Sequence, residues 1–131
     1  MILDTSFLLD LKDGDTDAFS KATELYDSGV VQRVALPSVW ELHYGAAYAD
    51  SDEELRKVQN LLSMYPQVEL DEHLATRAAE LLATADREAG GTSGVDNEDA
   101  LIGAVGEHFG ESVLSRNETH FDRLGVDVET Y

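Results

Sequence analysis

Short apolar runs alternate with segments of helical periodicity along the chain, and no other feature restricts the fold as strongly. The first run, Ile2 and Leu3, predicts a strand that ends at an acid, Asp4. Further strands, each separated from the next by a helical pattern, are predicted at 30–36, 68–70, 112–115 and 126–128. This alternation predicts a three-layer α/β fold, with a mostly parallel central sheet and helices on both faces. Ligands of such folds usually bind beyond the carboxyl ends of the strands.

Residues that commonly cap helices stand before several of the helical patterns. The candidates are Thr5 or Ser6, Ser38, Asp71, and Asp96 or Asn97. Glu41 lies three residues after Ser38, which is the spacing of a capping box. We therefore expect the helices to begin close to these residues.

Length and charge limit the class of protein. A chain of 131 residues, 43% of them hydrophobic, is predicted to form one domain over 1–131. It has 27 Asp and Glu against 9 Lys and Arg, a net charge of −18, and the acids are dispersed along the chain. Such a surface repels itself in dilute salt, whereas at about 1 M salt the screening length is only about 3 Å. We therefore expect a cytosol with molar salt, as in halophiles, with an acidic protein of ordinary salt as the alternative.

Several classes of site are excluded by what the sequence lacks. Cysteine is absent, which excludes disulfides, thiolate metal sites and thiol catalysis. The first ten residues have no basic region, and nowhere do about 18 apolar residues run together, so we expect a soluble, cytoplasmic protein with no membrane partner. There is no GxSxG, Walker A or GxGxxG string to support serine-nucleophile or phosphate-cradling chemistry.

Three acids stand at positions that this topology would bring together. Asp4 ends the first strand, Glu41 lies near the start of a helix, and Asp99 lies near the start of another. Each is set in apolar sequence, and no Lys or Arg lies within seven residues of any of them. A buried cluster of carboxylates is tolerated mainly when cations neutralise it. Oxygen ligands suit hard divalent cations, so the pattern predicts Mg²⁺ or Mn²⁺.

Structural explanations remain open for the same residues. Glu41 could serve only a capping box, and Asp96 and Asp99 could serve only to stabilise a helix dipole. Asp4 is harder to explain in this way, because a carboxylate that closes a buried strand has few structural uses.

Other side chains that often carry chemistry are expected to be structural. Trp40 and Tyr44 are four residues apart on one predicted helix, which favours a place in the core or in an interface over a base-stacking platform. The histidines share no metal-ligand spacing and are expected at the surface or in packing. They are His43, His73, His108 and His120.

With these residues in hand, the chain resembles a PIN domain, specifically the VapC-type toxin ribonucleases. The resemblance covers the chain from end to end and rests on four segments: ILDTSFLLDL, LPSVWELHYGA, DNEDALIGAV and ESVLSRNETHFDRL. It implies a PIN-like fold and an endoribonuclease, the toxin of a type II toxin–antitoxin system, which hydrolyses RNA phosphodiester bonds with Mg²⁺ or Mn²⁺. It also implies a homodimer and a cognate antitoxin that inserts a segment into the pocket. Together with the acidic surface, it points to a halophilic archaeon as the source.

The resemblance assigns catalytic and metal-binding roles to Asp4, Glu41 and Asp99. Asp4 and Asp99 are expected to be direct ligands, whereas Glu41 binds metal or positions the attacking water. The bound metal would polarise the phosphoryl oxygen and lower the pKa of that water.

One acid of the family pattern is missing. Similar toxins often have an acid in a T-R-D motif where this chain reads Ser115, Arg116, Asn117. Asn117 is neutral, and Asp96, three residues before Asp99, could bind metal in compensation. The resemblance implies that four neutral side chains orient water or phosphate around the acids: Thr5, Ser6, Ser115 and Asn117.

The charge of −18 opposes binding to a polyanion, and no basic stripe marks a nucleic-acid surface. The alternative is therefore a catalytically weak PIN-like interaction module that binds an antitoxin or another partner. An acidic phosphatase of the haloacid-dehalogenase type is a more distant alternative, because it needs a DxD-like motif where this chain has Asp4, Thr5 and Ser6.

Overall fold

The computed structural model describes residues 1–131. Short strands alternate with helices, as the apolar pattern predicts. The elements are β1 (Ile2–Leu3), α1 (Thr5–Lys12), α2 (Thr16–Asp27), β2 (Val34–Ala35), α3 (Leu36–Ala49), α4 (Asp52–Leu62), β3 (Gln67–Val68), α5 (Glu72–Glu88), α6 (Asn97–Phe109), β4 (Val113–Leu114), α7 (Glu118–Leu124) and β5 (Val128–Glu129). None of the helices is long and apolar enough to cross a membrane.

Every strand pair is parallel. β4 pairs with β1 and β5, and β2 pairs with β3. A parallel bridge between Ile2 and Arg33 joins the two sets, so the order across the sheet is β3, β2, β1, β4, β5. All the carboxyl ends therefore lie at one edge, which is where ligands of such folds usually bind.

The sheet separates two apolar cores. Successive residues of a strand point to opposite faces. Ile2 and Val113 pack with α5, α6 and α7, whereas Leu3 and Leu114 pack with α1 to α4. The helices therefore cover both faces, and the predicted three-layer α/β fold is confirmed.

The second strand is shorter than predicted. Only Val34–Ala35 of the predicted run 30–36 is a strand. Val30 and Val31 are 37% and 53% exposed, so their β-branched side chains do not enter the core. Pro37 lies in the first turn of α3, where its missing N–H breaks no helical hydrogen bond, so it does not delay the helix.

The predicted capping box is wrong. Because α3 begins at Leu36, its N-cap is Ala35, and Ser38 lies buried inside the first turn instead of capping it. The cap of α6 is correctly predicted: Asp96 Oδ1 accepts a hydrogen bond from the Asp99 backbone N–H at 2.8 Å. The difference matters for the site, because Ser38 and its neighbour Glu41 are free to make other contacts.

Candidate active site

The three predicted acids come from three elements. Asp4 directly follows β1 and is the N-cap of α1, a position that the sequence had suggested for Thr5 or Ser6. Glu41 projects from α3, which follows β2 without a loop, and Asp99 from the first turn of α6. The negative charge of Asp4 is one of the causes that raise the pKa of Glu41 and the pKa of Asp99.

Asp4 is the most buried acid and is held by two serines. The residue is 2% exposed, and its Oδ2 accepts hydrogen bonds from Ser6 Oγ at 2.8 Å and Ser115 Oγ at 2.6 Å. The two hydroxyls lie 3.3 Å apart. Hydroxyl donors stabilise and orient a carboxylate. Because both bond to Oδ2, the other oxygen of Asp4 remains free.

The backbone after β4 holds these serines in turn. The Arg116 N–H donates to Ser6 Oγ at 3.1 Å, and the Asn117 N–H donates to Ser115 Oγ at 2.9 Å. Asn117 takes the N-cap position of α7, but its side chain makes no capping bond. The motif near the end of the chain therefore positions Asp4 through main-chain hydrogen bonds.

Glu41 contacts Thr5 of α1. Thr5 Oγ1 lies 3.2 Å from Glu41 Oε1 and 3.0 Å from Ser38 Oγ. Burial is the main cause that raises the pKa of Glu41 to about 7, and the charges of Asp4, Asp96 and Glu98 add to it, whereas the Thr5 bond opposes it.

Asp99 has a partner that the sequence did not indicate. His120 Nδ1 of α7 lies 2.6 Å from Asp99 Oδ2. Burial, with Asp4 and Asp96 contributing, raises the pKa of Asp99 to about 6, and the bond to His120 opposes this shift. His120 is therefore more than a surface or packing residue. The spacing of His120 from the other histidines could not have indicated this contact, because its partner is a carboxylate that lies far away in the sequence.

The donors around Asp4 fit a divalent cation only if that cation keeps most of its water. No three carboxylate or imidazole side chains lie close enough to hold one ion together. Mg²⁺, however, usually keeps several waters and binds through one or two carboxylates. Asp4 has one free carboxylate oxygen. Glu41 and Asp99 have raised pKa values, and no Lys or Arg side chain forms a bond with either of them. These features fit a largely hydrated Mg²⁺ or Mn²⁺.

A large apolar cavity lies away from these acids. A groove of about 750 Å³ runs between α2 and α4 and is lined mainly by hydrophobic side chains. Phe19, Tyr26 and Met64 of this lining are each more than 60% exposed. None of the predicted site residues lines the groove, so it is a surface separate from the acidic site.

A comparison with protein families decides the classification. The family model described as "PIN domain" matches residues 1–127. The chain belongs to the PIN domain family. No curated protein sequence matches it significantly.

Solved structures share the PIN fold over nearly the whole chain. The DNA-bound VapBC from Salmonella typhimurium aligns with a TM-score of 0.82 and 20% identity, covering 98% of this chain and 96% of that chain. VapBC2 from Rickettsia felis, bound to a promoter DNA fragment, gives 0.80 and 17%, with the same coverage of 98% and 96%. VapBC-1 from nontypeable Haemophilus influenzae gives 0.77 and 15%, again over 98% and 96%. At these identities the likeness shows the fold alone.

Proposed function

We propose that this PIN domain is a metal-dependent endoribonuclease and the toxin of a type II toxin–antitoxin pair. One observation carries the proposal. Asp4, Glu41 and Asp99 are far apart in sequence, yet each lies near the start of a helix at the carboxyl edge of the parallel sheet, the charge of Asp4 raises the pKa of the other two, and no Lys or Arg side chain bonds to them. Carboxylates that shield one another from water repel, so fold stability alone gives little reason to place them together. Binding of a divalent cation would supply a reason.

The residues take distinct roles in this proposal. Asp4 and Asp99 would hold Mg²⁺ or Mn²⁺, which when bound would polarise the phosphoryl oxygen and acidify a bound water. Ser6 and Ser115 hold the Asp4 carboxylate, and His120 orients Asp99. Asp96 has one carboxylate oxygen engaged in capping α6, so any contribution to a metal falls to its other oxygen.

Glu41 has two possible roles in the same site. With its pKa raised to about 7, it is partly protonated near neutral pH and can accept a proton from a water that attacks the phosphodiester. It could instead bind metal, and replacement by Gln affects both roles.

The test is RNA cleavage by the purified chain in molar KCl with MgCl₂ or MnCl₂. We expect cleavage that Asp4→Asn abolishes and that excess EDTA stops. Asp127→Asn is the matched control, because Asp127 is exposed and precedes β5 at the opposite edge of the sheet. It removes the same charge and should cleave RNA normally.

The same experiment separates the interaction module from the enzyme. If Asp4→Asn folds and cleaves RNA as well as the unchanged chain, or if cleavage continues in EDTA, the ribonuclease proposal fails. A chain that never cleaves RNA but binds its partner with and without Asp4→Asn is an interaction module.

Two exposed surfaces support protein partners. The apolar groove between α2 and α4 exposes more contiguous apolar surface than an ordinary protein surface does, and we propose that the antitoxin binds there as well as in the acidic pocket. On α3, Trp40, Tyr44 and Tyr48 stack in sequence, with centroids 5.3 and 6.2 Å apart, and are 59%, 57% and 83% exposed. They are therefore not in the core, and we assign this neutral face to a homodimer. Tyr48→Asp should convert the dimer to a monomer, and the molar mass from light scattering measures this change.

A further inference from the structure

One arginine stands beside the acidic site with most of its hydrogen-bonding capacity free. The backbone of Arg116 is bound to Ser6, which in turn holds Asp4. Its side chain is 57% exposed, and Nη1 lies 3.0 Å from Asp10 Oδ1, its one ion-pair partner. A guanidinium has five N–H donors, so most of them remain free for a ligand.

Contacts that begin in the core hold the Arg116 guanidinium in place. Asp10 of α1 is largely buried, with its side chain 18% exposed, and its Oδ2 accepts a hydrogen bond from the Tyr131 hydroxyl. The Tyr131 ring packs edge-on against the buried Phe7 with centroids 5.0 Å apart. The chain of contacts from Phe7 through Tyr131 and Asp10 to Arg116 restricts where the cation can lie.

Half of the other eight Lys and Arg side chains are each paired with two acids. Lys12, Lys21, Lys57 and Arg77 each lie within ion-pair distance of two carboxylates. Arg116 differs from these four because it has one carboxylate partner, and from all eight because it follows directly after a serine that holds Asp4.

We propose that Arg116 binds a phosphate of the RNA backbone next to the bond that is cleaved, and that Asp10 and Tyr131 are positioning residues for its guanidinium. This inference rests on the proposed ribonuclease function and adds to it a contact with the substrate. A planar guanidinium matches two phosphate oxygens at once, which an ammonium group does not. In molar salt the long-range field of the protein is screened within about 3 Å, so a contact of this kind is the form of attraction that remains.

The experiment measures binding of a fluorescein-labelled single-stranded RNA by anisotropy, with Ca²⁺ in place of Mg²⁺, across a series of KCl concentrations. Steady-state cleavage with Mg²⁺ is measured beside it. Arg116→Gln should weaken binding about tenfold or more, the size expected for a lost hydrogen bond to a charged group. It should raise KM more than it lowers kcat. The slope of log affinity against log salt should become shallower by about one, as for the loss of one phosphate contact.

Three further variants keep the test sharp. Arg56→Gln is the matched control: it removes one exposed arginine of α4 and should leave affinity and slope unchanged. Arg116→Lys keeps the charge beside Asp10 but loses the fork, so it should restore the salt slope and only part of the affinity. Tyr131→Phe keeps the ring on Phe7 but frees Asp10, and should weaken binding less than Arg116→Gln does.

The outcomes divide clearly. If Arg116→Gln, folded by thermal melting, has the same affinity and salt slope as Arg56→Gln, this inference is wrong even though the chain cleaves RNA. If the unchanged chain neither binds nor cleaves RNA, the proposed function fails and this inference with it.

Discussion

Glu41 illustrates how its surroundings change the chemistry of one side chain. It lies in apolar sequence on α3, accepts a hydrogen bond from Thr5, and faces the charges of Asp4 and Asp96. Burial and like charge both disfavour the carboxylate. The glutamate therefore destabilises the folded protein when it is ionised, and a residue of that kind is expected where function requires it.

The pH dependence of stability follows from this shift. The pKa of Glu41 rises from 4.5 to about 7 on folding. Between these values the folded protein keeps a proton that the unfolded chain has lost, so this contribution makes stability fall as the pH rises. Glu41→Gln should have nearly the stability of the unchanged chain at pH 4.5 and exceed it at pH 8, with cleavage lost.

Urea unfolding in EDTA at several pH values measures this difference. Glu72→Gln serves as the control, because Glu72 is an exposed glutamate in the first turn of α5. An advantage for Glu41→Gln that does not grow with pH would contradict the assignment. Normal cleavage by that variant would show that Glu41 has no catalytic part.

His120 acts on Asp99 and not on the substrate in our assignment. Its Nδ1 lies 2.6 Å from Asp99 Oδ2. Loss of a group that orients a metal ligand typically costs about 10- to 100-fold in metal affinity or activity. We expect His120→Ala to raise the Mg²⁺ concentration for half-maximal cleavage by such a factor. His120→Asn, whose amide can occupy the position of Nδ1, should recover much of it.

A metal titration of both variants is the measurement, and His43→Ala on α3 is the control. Equal Mg²⁺ requirements in the unchanged chain and in His120→Ala would mean that Asp99 needs no partner to be held in place.

At the scale of elements, the packing of α6 against the sheet determines the position of Asp99. A Cβ atom at Gly106 would come within 3.1 Å of both the Glu111 carbonyl oxygen and Val113 Cγ2. Both neighbours belong to the turn and strand that follow the helix, so the helix cannot carry a larger side chain at this position without moving. The glycine therefore allows α6 to pack closely on β4.

We expect Gly106→Val to destabilise the protein by about 1–3 kcal/mol, the usual cost of overpacking a core. Because α6 carries Asp99, cleavage should fall as well. Gly91→Val is the control, since a Cβ atom there has nothing within 4 Å and its backbone is not left-handed, and it should change stability by less than about 0.5 kcal/mol. Denaturant unfolding measures both variants. Equal free energies of unfolding for Gly106→Val and Gly91→Val would mean that α6 moves away from β4 without loss of stability.

Element boundaries also show where pattern reasoning reaches its limit. Leu74, Ala78, Leu81 and Ala85 recur at helical spacing, and all four are buried on one face of α5. The apolar run 30–36 predicts a strand that includes Val30 and Val31, yet these two residues lie exposed before β2. Periodicity over several helical turns is a strong signal, whereas a short apolar run does not say which of its residues pair with another strand.

At the scale of the whole molecule, the charge of −18 predicts that folding depends on salt. At 10 mM salt the repulsion extends over about 30 Å, which is the scale of the domain, and at 1 M it extends over about 3 Å. We expect the melting temperature to rise by at least about 10 °C between 0.1 and 2 M KCl, a change of about 2–3 kcal/mol for a domain of this size. A melting temperature that is flat over this range would reject a halophilic origin.

Magnesium separates the acidic site from the surface. Millimolar MgCl₂ in dilute buffer should restore part of the stability, because a ligand that binds only the folded state stabilises it. The restored part should shrink in the double variant Asp4→Asn, Asp99→Asn. It should persist in Asp17→Asn, Asp127→Asn, which removes the same charge from exposed positions. An equal response of the two double variants would show that Mg²⁺ acts on the surface as a whole.

The sequence by itself determined the layered fold and singled out the acids. Alternating apolar runs and helical periods are local patterns, and burial of one face of each element leads directly from them to a parallel sheet between helices. Asp4, Glu41 and Asp99 could be chosen because each interrupts apolar sequence, where a charge needs a reason.

Only the tertiary structure decided what each of these acids contacts. Ser115 on Asp4, the threonine on Glu41 and the histidine on Asp99 all come from other elements, at separations for which the sequence has no period. The structure also removed the capping role of Glu41, because one turn of difference in the start of α3 moves Ser38 from a cap into the core. Local propensity sets where elements form, but side-chain partners depend on how the elements pack, and packing is a property of the whole chain.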